Sequence, residues 1–482
     1  MSRSPYLYAP LLAVLLSVFW LHALWVPFWQ DDFHLLLLAR DAREAGDAWW
    51  SVFWPVEKSI FWRPLSEGIH WRLVEGVLGA DPRAAHALNL LFLVAAALAV
   101  AWLVADYAPL IDRRVDAHRA FLMAGFLYGI HAAHLLPALW ATAVHTSMNV
   151  LFSALALRFW VSALRDSPAG LSLGLLSVPV FLLLALFSKE TGILALPLGA
   201  LLTLLVWRRA RPTRAGWIVA ASSMLLALAW LAVRRHLVVP ASGAYEMGVG
   251  INTLRNLASM VLFFINVPRE SLRFMLEQQS ALAALWALAC AALQATAIWI
   301  VLLAGRSVLG LKGVAAATAF FLIAGSPHLL FSWNSYAYYI TLGLIVWPLL
   351  AALAPLSARR ARLVLAAATL SSGLSVAGNY ALGYPALLAR AEWAERQLAI
   401  IRDQFPAVAD RARDQGIEVV SENRHRFLGI GISGLAFGLD LPRERIREVD
   451  PDVPVSSSRV RLMVPDGGDA YFVGSRGSAV HP

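Results

Sequence analysis

Two adjacent carboxylates, Asp31 and Asp32, follow directly on an aromatic and apolar run in "PFWQDDFHLLLLAR". A carboxylate beside a low-dielectric boundary can act as a general base toward a hydroxyl or amide acceptor. Two adjacent carboxylates repel, so one titrates high unless a cation compensates. The same residues also suit the cap and first turn of a helix starting at Phe33. Local sequence leaves both roles open, and capping by one aspartate does not exclude catalysis by the other.

Other stretches carry candidate partners. "FSKETGILALP" sets Lys189 and Glu190 between two short apolar runs, close to a membrane surface. A cation there suits a lipid phosphate or pyrophosphate. A snorkelling lysine paired with its neighbour fits the same turn. "GIHAAHLLPALWATAVH" holds His131, His134 and His145. Histidines at i and i+3 share one face of a helix and can hydrogen-bond phosphate or sugar hydroxyls. Local partners at the interface would satisfy them equally, and no carboxylate lies nearby to complete a metal set. In "SIFWRPLSEGIHWRL", Arg63 precedes Pro64, a residue suited to a first helical turn. Arg63 can grip a phosphate bidentately or pair with Glu67. In "SWNSYAYY", Trp333, Tyr336 and Tyr338 fit either an aromatic belt or a surface on which sugar rings stack.

These groups need elements to hold them, and the composition says which kind. The chain has 482 residues, 59% of them hydrophobic and 15% charged, with a mean hydropathy of +0.63. That is too apolar for a soluble domain and predicts a polytopic membrane protein. The sole cysteine, Cys290, excludes an intrachain disulfide and a cysteine-based metal site. The net charge of +9 is nearly all arginine, the lysines being Lys58, Lys189 and Lys312. In such a chain a basic balance marks cytoplasmic loops rather than a nucleic-acid partner.

Apolar runs predict spans at 7–28, 86–106, 119–137, 146–164, 171–187, 193–207, 217–234, 281–304, 313–332, 338–355 and 362–379. The first ends in Trp25, Phe28 and Trp29 with no small-residue cleavage site, so it reads as a retained span. Arginines in five connections set the N-terminus inside. Residues 29–85, 138–145, 188–192, 235–280 and 333–337 are then outside, together with everything after about 378. The run Asn256–Val267 is too short to span and reads as a re-entrant or interfacial helix. Residues 29–85, rich in tryptophan, form a first outer loop with amphipathic helices. Residues 380–482 combine a charged helix, short strand-like runs and the glycine-rich turns of "GIGISGLAFG", which predicts a small soluble α/β domain. The polar candidates collect at the outer ends of spans, where a surface enzyme needs them. A coupled transporter would need them near the midplane or in an internal repeat.

The set resembles the GT-C class of membrane glycosyltransferases, and within it the protein O-mannosyltransferases and their tetratricopeptide-bearing transmembrane relatives. "DDFH" resembles their Asp-Glu-x-His, "WRPLSE" an aromatic-Arg-Pro-Leu-Thr run, "AHALN" (with His86) a His-x-x-Asn, "HAAH" a His-Pro-x-His, and "SKETGI" a Ser-Lys-Glu-x-Gly-Ile run. Their order over residues 25–195 carries the resemblance. Leu136 stands where the relatives carry a glutamate, "WNSYAYY" replaces a Glu-Arg-x-x-Tyr run, and no tetratricopeptide array follows.

The resemblance implies an all-α polytopic GT-C fold of about eleven transmembrane helices (residues 1–379) with the small α/β domain after it. It implies an inverting transfer of a hexosyl or pentosyl group from a polyprenyl-phosphate donor, on the periplasmic face of a bacterial inner membrane. Asp31 would be the base and Asp32 its support. Arg63, His131, His134 and Lys189 would line the donor pocket, with His34, His86, His145, Glu190 and Tyr336 as further substrate contacts. The acceptor would be a glycan, a lipid or a protein. No cofactor is required, and a divalent cation is not indicated because arginine and lysine can neutralise the leaving group. Two other readings compete. An O-antigen ligase or polymerase would rely on arginine and histidine rather than an early aspartate pair. A lipid-linked sugar transporter or flippase would need midplane polar residues or a repeat.

Overall fold

A computed structural model describes residues 5–54, 59–163, 168–207, 209, 212–240, 245–267, 281–332, 336–380, 385–450, 452 and 459–473. The protein is mostly helical, with several apolar helices and one small sheet of four strands. Among the described residues, four helices are long and apolar enough to cross a membrane: Pro82–Ile111, Gly216–Leu237, Ala281–Leu329 and Ala358–Gly378. A bent pair, Ala117–Gly129 with Ala132–Leu139, would make a fifth, and its two parts meet at 53°. Shorter apolar helices cover the expected spans 7–28, 171–187, 193–207 and 338–355 in part, and the expected span 146–164 falls on the Val144–Ala163 helix. The expected spans at 281–304 and 313–332 lie on one continuous run, Ala281–Leu329, broken in direction at Gly310, where φ is 53°. Only glycine takes that conformation without a Cβ clash.

Local chemistry accounts for the packing of the bundle. Asp81 caps the Pro82–Ile111 helix by accepting from the Arg83 N–H at 2.9 Å, with proline in the first turn. Gly125 and Gly129, four apart, present a bare strip to the first helix. A Cβ at Gly129 would fall 2.6 Å from the Leu16 side chain, so only a small residue allows that approach. Trp20 Nε1 then donates to the Gly129 carbonyl at 2.8 Å. The basic connections gather at one end of the bundle. Arg119 donates to Leu356 O at 2.7 Å, Arg209 reaches the carbonyls of Leu110 and Ile111, and Ile111, Leu205, Lys312 and Leu353 line one small cavity.

The last described stretch forms the α/β unit. Strand β1 (Ile417–Ser421) pairs in parallel with β2 (Ile446–Val449) and β3 (Val460–Val464), and β4 (Tyr471–Val473) runs antiparallel to β3. The order is β2-β1-β3-β4. The "GIGISGLAFG" run departs from the expected turns: Gly431–Leu439 is a helix, with Gly434, Leu435, Ala436 and Leu439 buried. Burial of its apolar face outweighs the weak helix propensity of glycine.

This unit does not stand apart. Its helix Pro385–Gln404, its strands and the Gly431–Leu439 helix share one hydrophobic core with Phe28, Phe33, Leu36, Trp71 and Val74 of the first outer loop. Arg40 of the Asp31–Glu44 helix bonds to Ala436 O and Asp440 Oδ1 at 3.3 and 3.1 Å. The Gln30 N–H donates to Gly429 O at 2.7 Å.

Candidate active site

The first outer loop, the ends of several apolar helices and the 245–247 segment enclose a cavity of about 540 Å³. Its walls include Asp31, His34, Arg63, His145, Lys189 and Glu190, drawn together from residues far apart in the chain. It is of a size that takes small-molecule substrates.

The two aspartates part company here. Gln30 adopts φ 56°, a region that non-glycine residues visit only when their surroundings hold them. The Gly429 contact is one such hold. The helix then starts at Asp31, and consecutive side chains diverge by about 100° around its axis. Asp32 is fully buried: its Oδ1 accepts from Thr142 N at 2.8 Å and Thr142 Oγ1 at 2.6 Å, and its Oδ2 from Trp29 N at 3.1 Å. Burial raises its carboxyl to about 7 against those three donors. Asp31 instead opens onto the cavity and makes no hydrogen bond or ion pair among the described residues. The surrounding protein strips enough water from it to raise its carboxyl above the usual range.

Opposite charges line the rest of the wall. Arg63 Nε and Nη2 donate to Glu190 Oε2 at 3.0 and 2.9 Å, and Nη1 donates to Glu67 Oε1 at 2.8 Å. The Phe61 ring lies 3.9 Å from the guanidinium carbon. Burial opposes the Arg63 charge, but the two carboxylates outweigh it and raise its pKa further. For Glu190, burial pushes up, and the Arg63 charge and hydrogen bonds together bring it below the usual value. Lys189 is different. Its neighbour Glu190 has gone to Arg63, and its Nζ donates to Thr146 Oγ1 at 3.2 Å and sits 4.8 Å from the Tyr338 ring centroid. Burial and then the Arg63 charge hold Lys189 down to about 7. The turn carrying it is tight because Gly192 packs on backbone: a Cβ there would lie 2.6 Å from Ala185 C.

Several expected contacts lie elsewhere. His86 is buried, with Nδ1 at 3.2 Å from Ala138 O. His131 Nε2 lies 3.2 Å from Phe264 O, and the His134 ring packs 4.7 Å from that of Tyr128. None of these three lines the cavity, nor does Asp32. The helix ends at Gly129, so the i, i+3 argument for a shared face does not apply to His131 and His134. Tyr336 stands behind the cavity wall, stacked on Tyr338 at 5.4 Å. Trp333 lies outside the described residues. His145 does line the cavity, with Nδ1 2.7 Å from Thr142 O, and burial, with Lys189 and Arg63 nearby, drives its pKa well down. Among the described residues no three of His, Cys, Asp or Glu converge as a metal ligand set.

Sequence reading passed over other walls of the cavity: Arg234, Tyr245, His328, Phe331 and Tyr339. Arg234 sits with Arg235 and His236 in the last turn of an apolar helix, a basic helix end visible in the sequence. His328 sits in an apolar run that gives no signal.

No protein-family model matches this sequence, and no curated protein does. Among solved structures, ArnT from Cupriavidus metallidurans bound to undecaprenyl phosphate is similar over 92% of this chain and 86% of its own, at 15% identity and a TM-score of 0.49. The apo form of the same protein is similar over 96% and 94%, at 15% identity and a TM-score of 0.49.

Proposed function

We propose that the chain is an integral membrane glycosyltransferase of the GT-C class, transferring a sugar from a polyprenyl-phosphate donor to an acceptor on the periplasmic face. One observation carries this reading: Asp31, whose carboxyl makes no hydrogen bond or ion pair among the described residues, shares a cavity with Lys189, which has no ion pair among the described residues. A base for the acceptor and a cation for the phosphate are the two demands of the reaction. The basic connections at the opposite ends of the Ala195–Val206 and Arg214–Leu237 helices support an outward-facing cavity by the positive-inside rule. The reading keeps the expected eleven spans and the expected outer C-terminal domain.

In this mechanism the acceptor O–H or N–H attacks the anomeric carbon and gives its proton to Asp31. The new bond forms opposite the leaving oxygen, so configuration inverts. The bond from the anomeric carbon to the phosphate oxygen breaks, and its electron pair stays on the phosphate. The raised carboxyl of Asp31 makes it a stronger base than a solvated aspartate. Positive charge placed beforehand at the phosphate supplies the electrostatic part of catalysis.

The test is Asp31→Asn in purified, detergent-solubilised protein supplied with polyprenyl-phosphate sugars. Loss of about 10²- to 10⁴-fold in transfer, with unchanged elution and melting, is expected. Near-normal turnover would overturn the assignment.

A further inference from the structure

The cations of the cavity are not equivalent. Every nitrogen of Arg63 already faces a carboxylate, Glu190 or Glu67. A phosphate brought to Arg63 would meet both carboxylates as well. Lys189 has no ion pair among the described residues, and its Nζ lies 4.8 and 5.4 Å from the ring centroids of Tyr338 and Tyr339. A second polar group rests on the same tyrosine: the His328 ring stacks on Tyr339 at 3.9 Å with only 2° between planes.

His328 is 6% exposed and lines the cavity, yet neither ring nitrogen has a hydrogen-bond partner among the described residues, and Nδ1 is closed off from solvent. Buried polar side chains are usually paired, and His328 is one of the unpaired ones that border the cavity, where a ligand can reach it. The neighbouring helix-end carbonyls are already engaged. Asn252 Nδ2 donates to Leu330 O and Phe331 O at 3.3 and 3.1 Å, and Asn256 Nδ2 to Leu329 O and Phe331 O at 3.3 and 2.9 Å. These amides fix the last turn that carries His328.

We propose that His328 and Lys189, on the Tyr338–Tyr339 wall, form the subsite for the donor's phosphate, and that Arg63 is a structural member of the cavity rather than a phosphate ligand. The inference rests on the transferase reading and refines it. The donor is a phosphodiester with one negative charge, and departure of the sugar adds a second. Lys189 supplies the counter-charge, and a His328 N–H donates to a phosphate oxygen. The Tyr338 and Tyr339 rings border both contacts, and charge interactions beside apolar surface are stronger than in bulk water.

The full chain in detergent is titrated with undecaprenyl phosphate and, separately, with undecaprenol, by calorimetry. His328→Phe keeps a flat ring against Tyr339 and removes both nitrogens. It should weaken binding of the phosphate about tenfold and leave the alcohol unaffected. His328→Asn or His328→Gln, each returning an N–H near one ring-nitrogen position, should restore most of the affinity in one case. Should His328→Phe elute aggregated, His328→Leu takes its place in the same comparison. Unchanged affinity for undecaprenyl phosphate, or equal losses for phosphate and alcohol, would overturn the subsite while leaving the transferase reading standing. A wild-type chain that does not bind undecaprenyl phosphate would overturn both.

Discussion

In the proposed mechanism the position of Lys189 sets the alkaline side of the activity profile. Burial and the Arg63 charge bring its pKa down from the usual lysine range to about 7. The donor phosphodiester does not titrate near neutrality, so any alkaline limb belongs to the enzyme. In the proposed mechanism the cationic form is the one that serves the phosphate. As pH rises through about 7 that form is lost, and kcat/KM should fall about tenfold for each further pH unit, to about one-hundredth at pH 9. The acid limb has the opposite sign. As the proposed base Asp31 works as the anion, so activity should fall as pH drops through the pKa that burial has raised. Lys189→Arg separates the limbs, because a guanidinium stays protonated throughout this range. The assay is transfer from a polyprenyl-phosphate sugar in detergent between pH 5 and 10, read as kcat/KM. The variant should lose the alkaline limb and keep the acid one, even if its absolute rate is lower. An alkaline limb at the same pH in wild type and Lys189→Arg would refute the reasoning.

Two further outcomes follow from the same wall. Glu190→Gln removes a carboxylate that bonds Arg63 through two of its nitrogens and should lower stability by about 3 kcal/mol, measured by thermal unfolding in detergent. It also removes a charge that raises the Lys189 pKa, so its alkaline limb should move to lower pH; a limb moving upward would contradict the electrostatic account. Gly192→Ala drives a Cβ into the Ala185–Leu186 backbone, which cannot yield as a side chain would, and should cost about 1–3 kcal/mol and displace Lys189. Transfer kinetics and melting of that variant at wild-type values would show that the turn has slack.

Much of the site was legible because polar residues are conspicuous in so apolar a chain. Asp31, Arg63, His145, Lys189 and Glu190 stood out at run ends, and the fold draws those ends to one cavity. What could not be read depends on distant partners. Nothing near residue 31 says which aspartate is clasped, because the donors to Asp32 come from Thr142 as well as Trp29. His131 and His134 looked paired on a helix face, but the chain turns at Ile130 and sends both into packing contacts. His328 carries no signature, since an apolar run with one histidine reads as a span. The Gly431–Leu439 helix was hidden by its glycines, whose turn propensity yields once the segment packs against Phe33.

The core shared by the first outer loop and the α/β unit bears on how the protein is made. Residues 28–37 are synthesised early and can meet Trp71 and Val74 soon after, but the rest of their shared core and the carbonyl that accepts the Gln30 N–H arrive only with residues 393–472. The strained bend that sets Asp31 apart from Asp32 is therefore held by a contact that does not yet exist while the spans are being inserted. The nascent chain can assemble its membrane helices while its carboxylate pair is still unsorted, and it becomes competent only when the α/β unit closes over the opening helix. Removing that unit would do more than delete an accessory domain: it would leave Asp31, the proposed base, without the hold that aims it.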